Sequence, residues 1–214
     1  VSERPVSRAA DLAALGHRGT LAADDRARAE QALQEDPDPR VRAAALGALL
    51  RAGRPDRALE AWARSRHDPD PTVRRRCAEL APALPASPAV VSALVALLDD
   101  DDVTVVEAAA WALGEIRDVD ERGSEHGTVA ALARVVSEHP DALAREAAVA
   151  ALGALGDPAA LPAVLAACND RPAVRRRAVL ALAPFDGDAV DAALTRALAD
   201  KDWQVRQAAE DLTR

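Results

Sequence analysis

Large rings are nearly absent from this 214-residue chain: aromatics make up 2% of it, as Trp62, Trp111, Trp203 and Phe185, with no tyrosine. A core built around a few rings is therefore excluded, and burial must come from many small contacts. The alternating β-branched runs that mark strands are missing, while alanine and leucine dominate, so the class is all-α. No stretch of about 20 uninterrupted apolar residues could span a bilayer, and no apolar leader resembles a signal peptide. The expectation is a cytoplasmic protein with no membrane partner. Two cysteines, Cys77 and Cys168, are too few and too far apart for a disulfide framework or a zinc cluster, and both read as packing residues. A net charge of −8 and a pI near 5.1 disfavour a general affinity for nucleic acid. Lys201 is the single lysine beside many arginines, a bias that with the abundant alanine suggests a GC-rich bacterial genome.

What is present is a repeat. DPDPRVRAAALGAL (36–49) returns as DPDPTVRRRCAELA (68–81), DDDVTVVEAAAWALG (100–114), PDALAREAAVAALG (140–153), RPAVRRRAVLALA (171–183) and DKDWQVRQAAEDL (200–212). Aligning the small apolar residue before the arginine, position i, gives Val41, Val73, Val105, Ala144, Val174 and Val205, in steps of 32, 32, 39, 30 and 31 residues. Positions i, i+4, i+7 and i+8 are apolar nearly throughout, which is one face of a helix. A second amphipathic helix precedes each, for example at 89–98, 159–168 and 189–198, and turns such as GDP (156–158) separate the copies. Two helices in about 32 residues, stacked six times, make a solenoid.

Asp at i−3 (Asp38, Asp70, Asp102, Asp141, Asp202) suits a helix N-terminus, where it caps free N–H groups and meets the positive end of the dipole. Arg at i+1 (Arg42, Arg74, Arg145, Arg175, Arg206) can reach back to that carboxylate or to the Asp of the neighbouring repeat. Regular recurrence of this kind indicates a structural ladder of Asp38, Arg42, Asp70, Arg74, Asp141, Arg145, Asp202 and Arg206 rather than a unique site.

The pattern DPxxVRxxAAxALG, with GDPAALPAVL upstream, resembles a HEAT repeat, in particular the short bacterial type named after phycobilisome-lyase-like proteins. The resemblance covers roughly residues 21–213. It implies a single right-handed α-α superhelix of about six hairpins over 1–214, with repeats near 21–53, 54–85, 86–117, 124–155, 156–184 and 185–214. Residues 6–20 are expected to supply a capping helix, and the acidic, glycine-containing 116–127 an insertion that projects as a loop.

The resemblance also implies that the i helices line the concave face, with i+2 and i+6 toward the groove. The i+6 row is Gly47, Glu79, Trp111, Ala150, Leu180, Asp211, and the i+2 row is Ala43, Arg75, Glu107, Glu146, Arg176, Gln207. Trp111 is the large ring of its row, one turn from Glu107 and from Glu115. A central aromatic among charges has the composition of a binding hot spot. Trp111, Glu107, Glu115, Arg75, Glu146 and Arg176 are therefore the candidate protein-binding residues.

Catalytic cues are wanting. HEAT-type proteins similar to deoxyhypusine hydroxylase bind two irons through paired His-Glu dipeptides, and this chain has no His-Glu pair. His17, His67, His126 and His139 fall in loops or at helix ends, and no glycine-rich phosphate loop is present. The expectation is a non-enzymatic scaffold without cofactor, receiving a protein or peptide that carries a basic segment. A lyase-like enzyme acting on a bound tetrapyrrole is the alternative, and nucleic-acid binding through Arg74–Arg76 and Arg175–Arg177 is a third reading.

Overall fold

The computed structural model describes residues 5–17, 20–52, 55–116 and 124–214, and among them it holds thirteen α-helices and no strand. The helices gather into two compact units, Val1–Pro85 and Ala86–Arg214. Each unit is a stack of helical pairs in the manner of a solenoid.

The first unit contains α1 (Pro5–Gly16), α2 (Ala23–Glu35), α3 (Pro39–Ala52), α4 (Pro55–Ser65) and α5 (Pro71–Leu80), followed by a 3-10 turn at Ala81–Ala83. α2 pairs with α3, α4 with α5, and α3 packs on α5. The helix expected as a cap over 6–20 ends at Gly16 and has a more definite place: α1 lies along α3 in the register of an inner helix. Arg8 occupies the i+1 register and bonds Asp36 at 2.7 Å. Gly16 takes the i+9 register, where an added Cβ would come within 3.1 Å of the Ala48 Cα. Ser7 and Asp11, both exposed, hold the i and i+4 positions that are buried and mostly apolar in the complete copies.

Trp62 is the one large ring in this unit's core. It is 2% exposed, its indole N–H donates to the Cys77 carbonyl at 2.7 Å, and the Cys77 thiol donates back to the Trp62 carbonyl at 3.3 Å. This exchange pins α4 to α5, and burial pushes the Cys77 thiol well above its usual range.

The second unit contains α6 (Pro88–Leu97), α7 (Val103–Glu115), α8 (Ser124–Glu138), α9 (Ala142–Leu155), α10 (Leu161–Ala167), α11 (Pro172–Ala181), α12 (Asp188–Leu198) and α13 (Trp203–Thr213). α7, α9, α11 and α13 pack in succession as one layer, and α6, α8, α10 and α12 form the other. Leu94, Leu98, Leu113, Leu132, Leu152 and Leu182 are fully buried between the layers. Alanines and glycines separate the inner helices. At Gly153 an added Cβ would lie 2.6 Å from the Ala181 Cβ and 2.7 Å from its Cα, so α9 and α11 touch backbone to backbone there. The helix expected from 159 starts as a 3-10 turn, Pro158–Ala160, and becomes α-helical at Leu161. Pro158 and Pro162 supply no N–H to the first turns, which suits this start. Of the insertion expected at 116–127, residues 117–123 lie outside the described residues, and α8 begins at Ser124.

Candidate interaction surface

Five inner helices start on an aspartate whose side chain accepts the N–H two residues on: Asp38 from Arg40, Asp70 from Thr72, Asp102 from Thr104, Asp141 from Leu143 and Asp202 from Gln204. α11 departs from this, with Arg171 at that place and no side-chain cap. The arginines at i+1 do not turn back to these capping carboxylates. They work in two directions at once. Nη1 collects carbonyls of its own repeat's loop: Arg42 takes that of Asp36, Arg74 that of Asp68, Arg145 that of His139, Arg175 that of Asp170 and Arg206 that of Asp200. In Arg42, Arg145 and Arg175 the Nε–Nη2 fork also grips a different aspartate in the next repeat. Arg42 holds Asp68 at 2.9 and 2.7 Å, Arg145 holds Asp170 at 2.7 and 2.9 Å, and Arg175 holds Asp200 at 2.9 and 2.8 Å. A planar fork meeting both oxygens of a carboxylate is the strongest geometry available to such a pair.

The gripped acids sit at i−5, or at i−4 in copy five, and sequence reading passed over them. For Asp68 and Asp200 the signal was present as the first Asp of a DPD or DKD loop, while Asp170 stands in NDRP without a second Asp. Each is oriented before the arginine arrives: Asp68 accepts the Asp70 N–H at 2.9 Å, Asp200 accepts the Asp202 N–H at 2.8 Å, and Asp170 accepts the Arg171 N–H at 2.6 Å.

Copy three breaks the rule, and copy four explains why. Val106 replaces the arginine and is buried, while the acid it would have gripped is replaced by His139. His139 Nδ1 accepts the Asp141 N–H at 3.1 Å, so it keeps the loop closed with a group that needs no cation. Both halves of the clasp changed together.

The Arg145 fork holds Asp170 below the usual carboxylate range, and the Arg175 fork does the same for Asp200. A depressed folded-state value means that this stabilisation is present above the unfolded carboxylate's value, near 4, and is lost as pH falls below it through the folded value. Arg175→Gln is therefore expected to cost about 2 kcal/mol at pH 7. Urea midpoints for wild type and variant should draw together as the pH falls below about 4; a gap that stays constant on acidification would show that the clasp does not carry the stability.

On the accessible side of the same inner layer, α7 presents Trp111, 49% exposed, between half-buried Glu107 and exposed Glu115. Ala108, Ala109, Ala110 and Ala112 are all buried, so the close packing of the rest of α7 leaves this stripe facing outward. Glu107 and Glu115 have no ion-pair partner among the described residues. Glu146, the equivalent of Glu107 on α9, lies 3.7 Å from Arg176 and 3.5 Å from Arg177 of α11. The residue on α9 that corresponds to Arg177 is Ala147, so nothing from the next helix neutralises Glu107 in the same way. Leu180, 39% exposed, takes the Trp111 register on α11 and belongs to this face, as does Arg177; neither was among the candidate protein-binding residues. Arg75 stands in the other unit, on α5, where its Nε donates to Glu79 at 2.8 Å. Burial works to raise Glu79, but the hydrogen bonds from Arg75 and Arg76 outweigh it and hold that carboxyl below its usual range.

Among the described residues no group of three or more His, Cys, Asp or Glu side chains is placed to hold a metal ion, and no helix is long and apolar enough to cross a membrane. Cys168, half-buried at the end of α10, has its thiol pushed up to about 11 by burial.

A family model described as HEAT repeats matches residues 57–126 and 129–212. No curated protein matches the chain. Among solved structures, YibA of Escherichia coli is 19% identical, with 98% of this chain and 75% of that one covered at a TM-score of 0.64. A designed armadillo repeat protein in complex with the peptide (KR)4 is 16% identical over 87% of this chain and 97% of its own, with a TM-score of 0.62. Human deoxyhypusine hydroxylase in complex with glycerol is 24% identical over 99% and 80%, with a TM-score of 0.47. The first two of these likenesses bear on the fold.

Proposed function

The chain belongs to the HEAT-repeat family, and from that premise we propose that it is a non-enzymatic, bacterial cytoplasmic scaffold that binds a protein segment through the accessible face of α7 and its neighbours. The observation that carries this reading is the stripe Glu107–Trp111–Glu115: a half-exposed indole between two carboxylates that no described cation neutralises. An arginine or lysine of the partner would lie on the Trp111 ring and share its charge with Glu107. Arginine fits best, since its flat guanidinium stacks on the ring and bonds a carboxylate at its edge. The designed armadillo protein that resembles this chain holds an alternating Lys-Arg peptide, which makes that peptide a suitable first probe.

Titration of the (KR)4 octapeptide at physiological salt is expected to show binding that weakens by about 30-fold in Trp111→Ala, or about 2 kcal/mol, the size of a hot-spot contact. The thermal midpoint should stay where it is, because the ring is not core. Equal affinity with a lowered midpoint would assign Trp111 to packing and end the proposal.

The finer likeness of the repeat to the phycobilisome-lyase-like type supports a second reading, a lyase-like activity on a bound tetrapyrrole. It requires the purified protein to shift the visible absorbance of an added bilin; an unchanged spectrum removes it.

A further inference from the structure

Arg176 and Arg177 on α11 are held less well than their counterparts. In copy two the equivalent Arg75 and Arg76 each meet a separate oxygen of Glu79, at 2.8 and 2.9 Å. Copy five has Leu180 in place of that glutamate, 39% exposed. Arg176 and Arg177 are left to share one oxygen, Glu146 Oε1, at 3.7 and 3.5 Å. The Nε of each is buried without a hydrogen-bond partner. Measured against copy two, this spot lacks one carboxylate, and Leu180 beside it offers an apolar shelf rather than a competitor.

We infer that the partner supplies that carboxylate: the bound segment is bipolar, bringing an Asp or Glu to Arg176 and Arg177 while its cation rests on Trp111. This rests on the binding reading above and specifies the partner further. α7 packs on α9 and α9 on α11, so the two subsites are two helix spacings apart. At roughly 8–10 Å per spacing the span is about 16–20 Å, which an extended chain covers in about five or six residues. The partner is therefore an extended segment with a basic and an acidic residue about six positions apart.

The test uses the full chain, labelled with nitrogen-15, and two blocked peptides, GRSTSTSEG and GRSTSTSQG, followed at the Trp111 indole N–H and the arginine Nε–H signals. The glutamate peptide is expected to bind about tenfold more tightly and to move the Arg176 and Arg177 signals, while both peptides move Trp111. Arg176→Gln with Arg177→Gln, which keeps the apolar stems, should make the two peptides equal without changing the Trp111 response. If wild type binds both peptides equally with Trp111 responding, the bipolar inference fails and the binding reading stands. If neither peptide moves Trp111, the binding reading fails and takes the inference with it. If the arginine signals answer a twelve-nucleotide single strand but not the glutamate peptide, the missing anion is a phosphate and the inference is overturned.

Discussion

Replacing Trp62 by alanine is expected to remove about 4 kcal/mol of stability, the middle of the range for a buried aromatic. The ring is 2% exposed between α4 and α5 in a chain that has few rings to spare. The substitution also strips the Cys77 carbonyl of its indole donor, leaving a buried acceptor unpaired. Trp62→Phe separates the two effects: most of the volume returns and the hydrogen bond does not, so a loss of about 1–2 kcal/mol is expected. Urea unfolding followed by far-ultraviolet circular dichroism measures both. A loss below about 1 kcal/mol for the alanine variant would show that the ring is dispensable packing.

Gly153→Val is expected to cost about 3 kcal/mol, and the informative comparison is the milder Gly153→Ala. Glycine inside a helix is normally a weakness that alanine repairs by about 1 kcal/mol. Here the new methyl group would meet the Ala181 Cβ at 2.6 Å and its Cα at 2.7 Å, both fixed to the α11 backbone. α9 and α11 must then move apart, and the close packing they forfeit along their length outweighs the gain in propensity. Gly153→Ala should therefore be net destabilising by about 1 kcal/mol. Gly127 of α8, whose added Cβ would meet nothing within 4 Å, serves as the control, and Gly127→Ala should be stabilising by about 0.5–1 kcal/mol. Equal signs for the two alanine variants would refute the close-approach account.

The repeat, the helix pairs and the aspartate caps were legible because each follows from local chemistry: a 3.6-residue apolar period, and an acid one residue before a helix. The clasp was legible only by half. A DPD loop offers two aspartates, and spacing alone does not tell which one is spent on a helix cap and which faces the neighbouring arginine. α1 hid its register for a related reason: Ser7 and Asp11 replace two of the apolar anchor residues, leaving Arg8, Gly16 and the apolar pair Ala14 and Leu15 as its marks of kinship. The division after Pro85 falls within a proline-rich stretch, Pro82, Pro85 and Pro88, and coincides with the repeat boundary expected between 54–85 and 86–117. On the candidate face, position along α7 could be read from the alanine rows, but the deficit at Arg176 and Arg177 could not. It depends on distances to one shared oxygen, and on comparing a leucine with the glutamate that another copy keeps.

The paired change of Val106 and His139 has a consequence for how such a chain can evolve. A two-handed arginine ties the length of the connecting segment to the geometry of both loops, so clasped neighbours tolerate little change in spacing: 34 residues from Arg8 to Arg42, 32 from Arg42 to Arg74, 30 from Arg145 to Arg175. The junction that has surrendered both hands is the one whose step is 39 residues. Loss of the clasp makes that joint permissive, the place where insertions can accumulate and be tried without disturbing the register on either side.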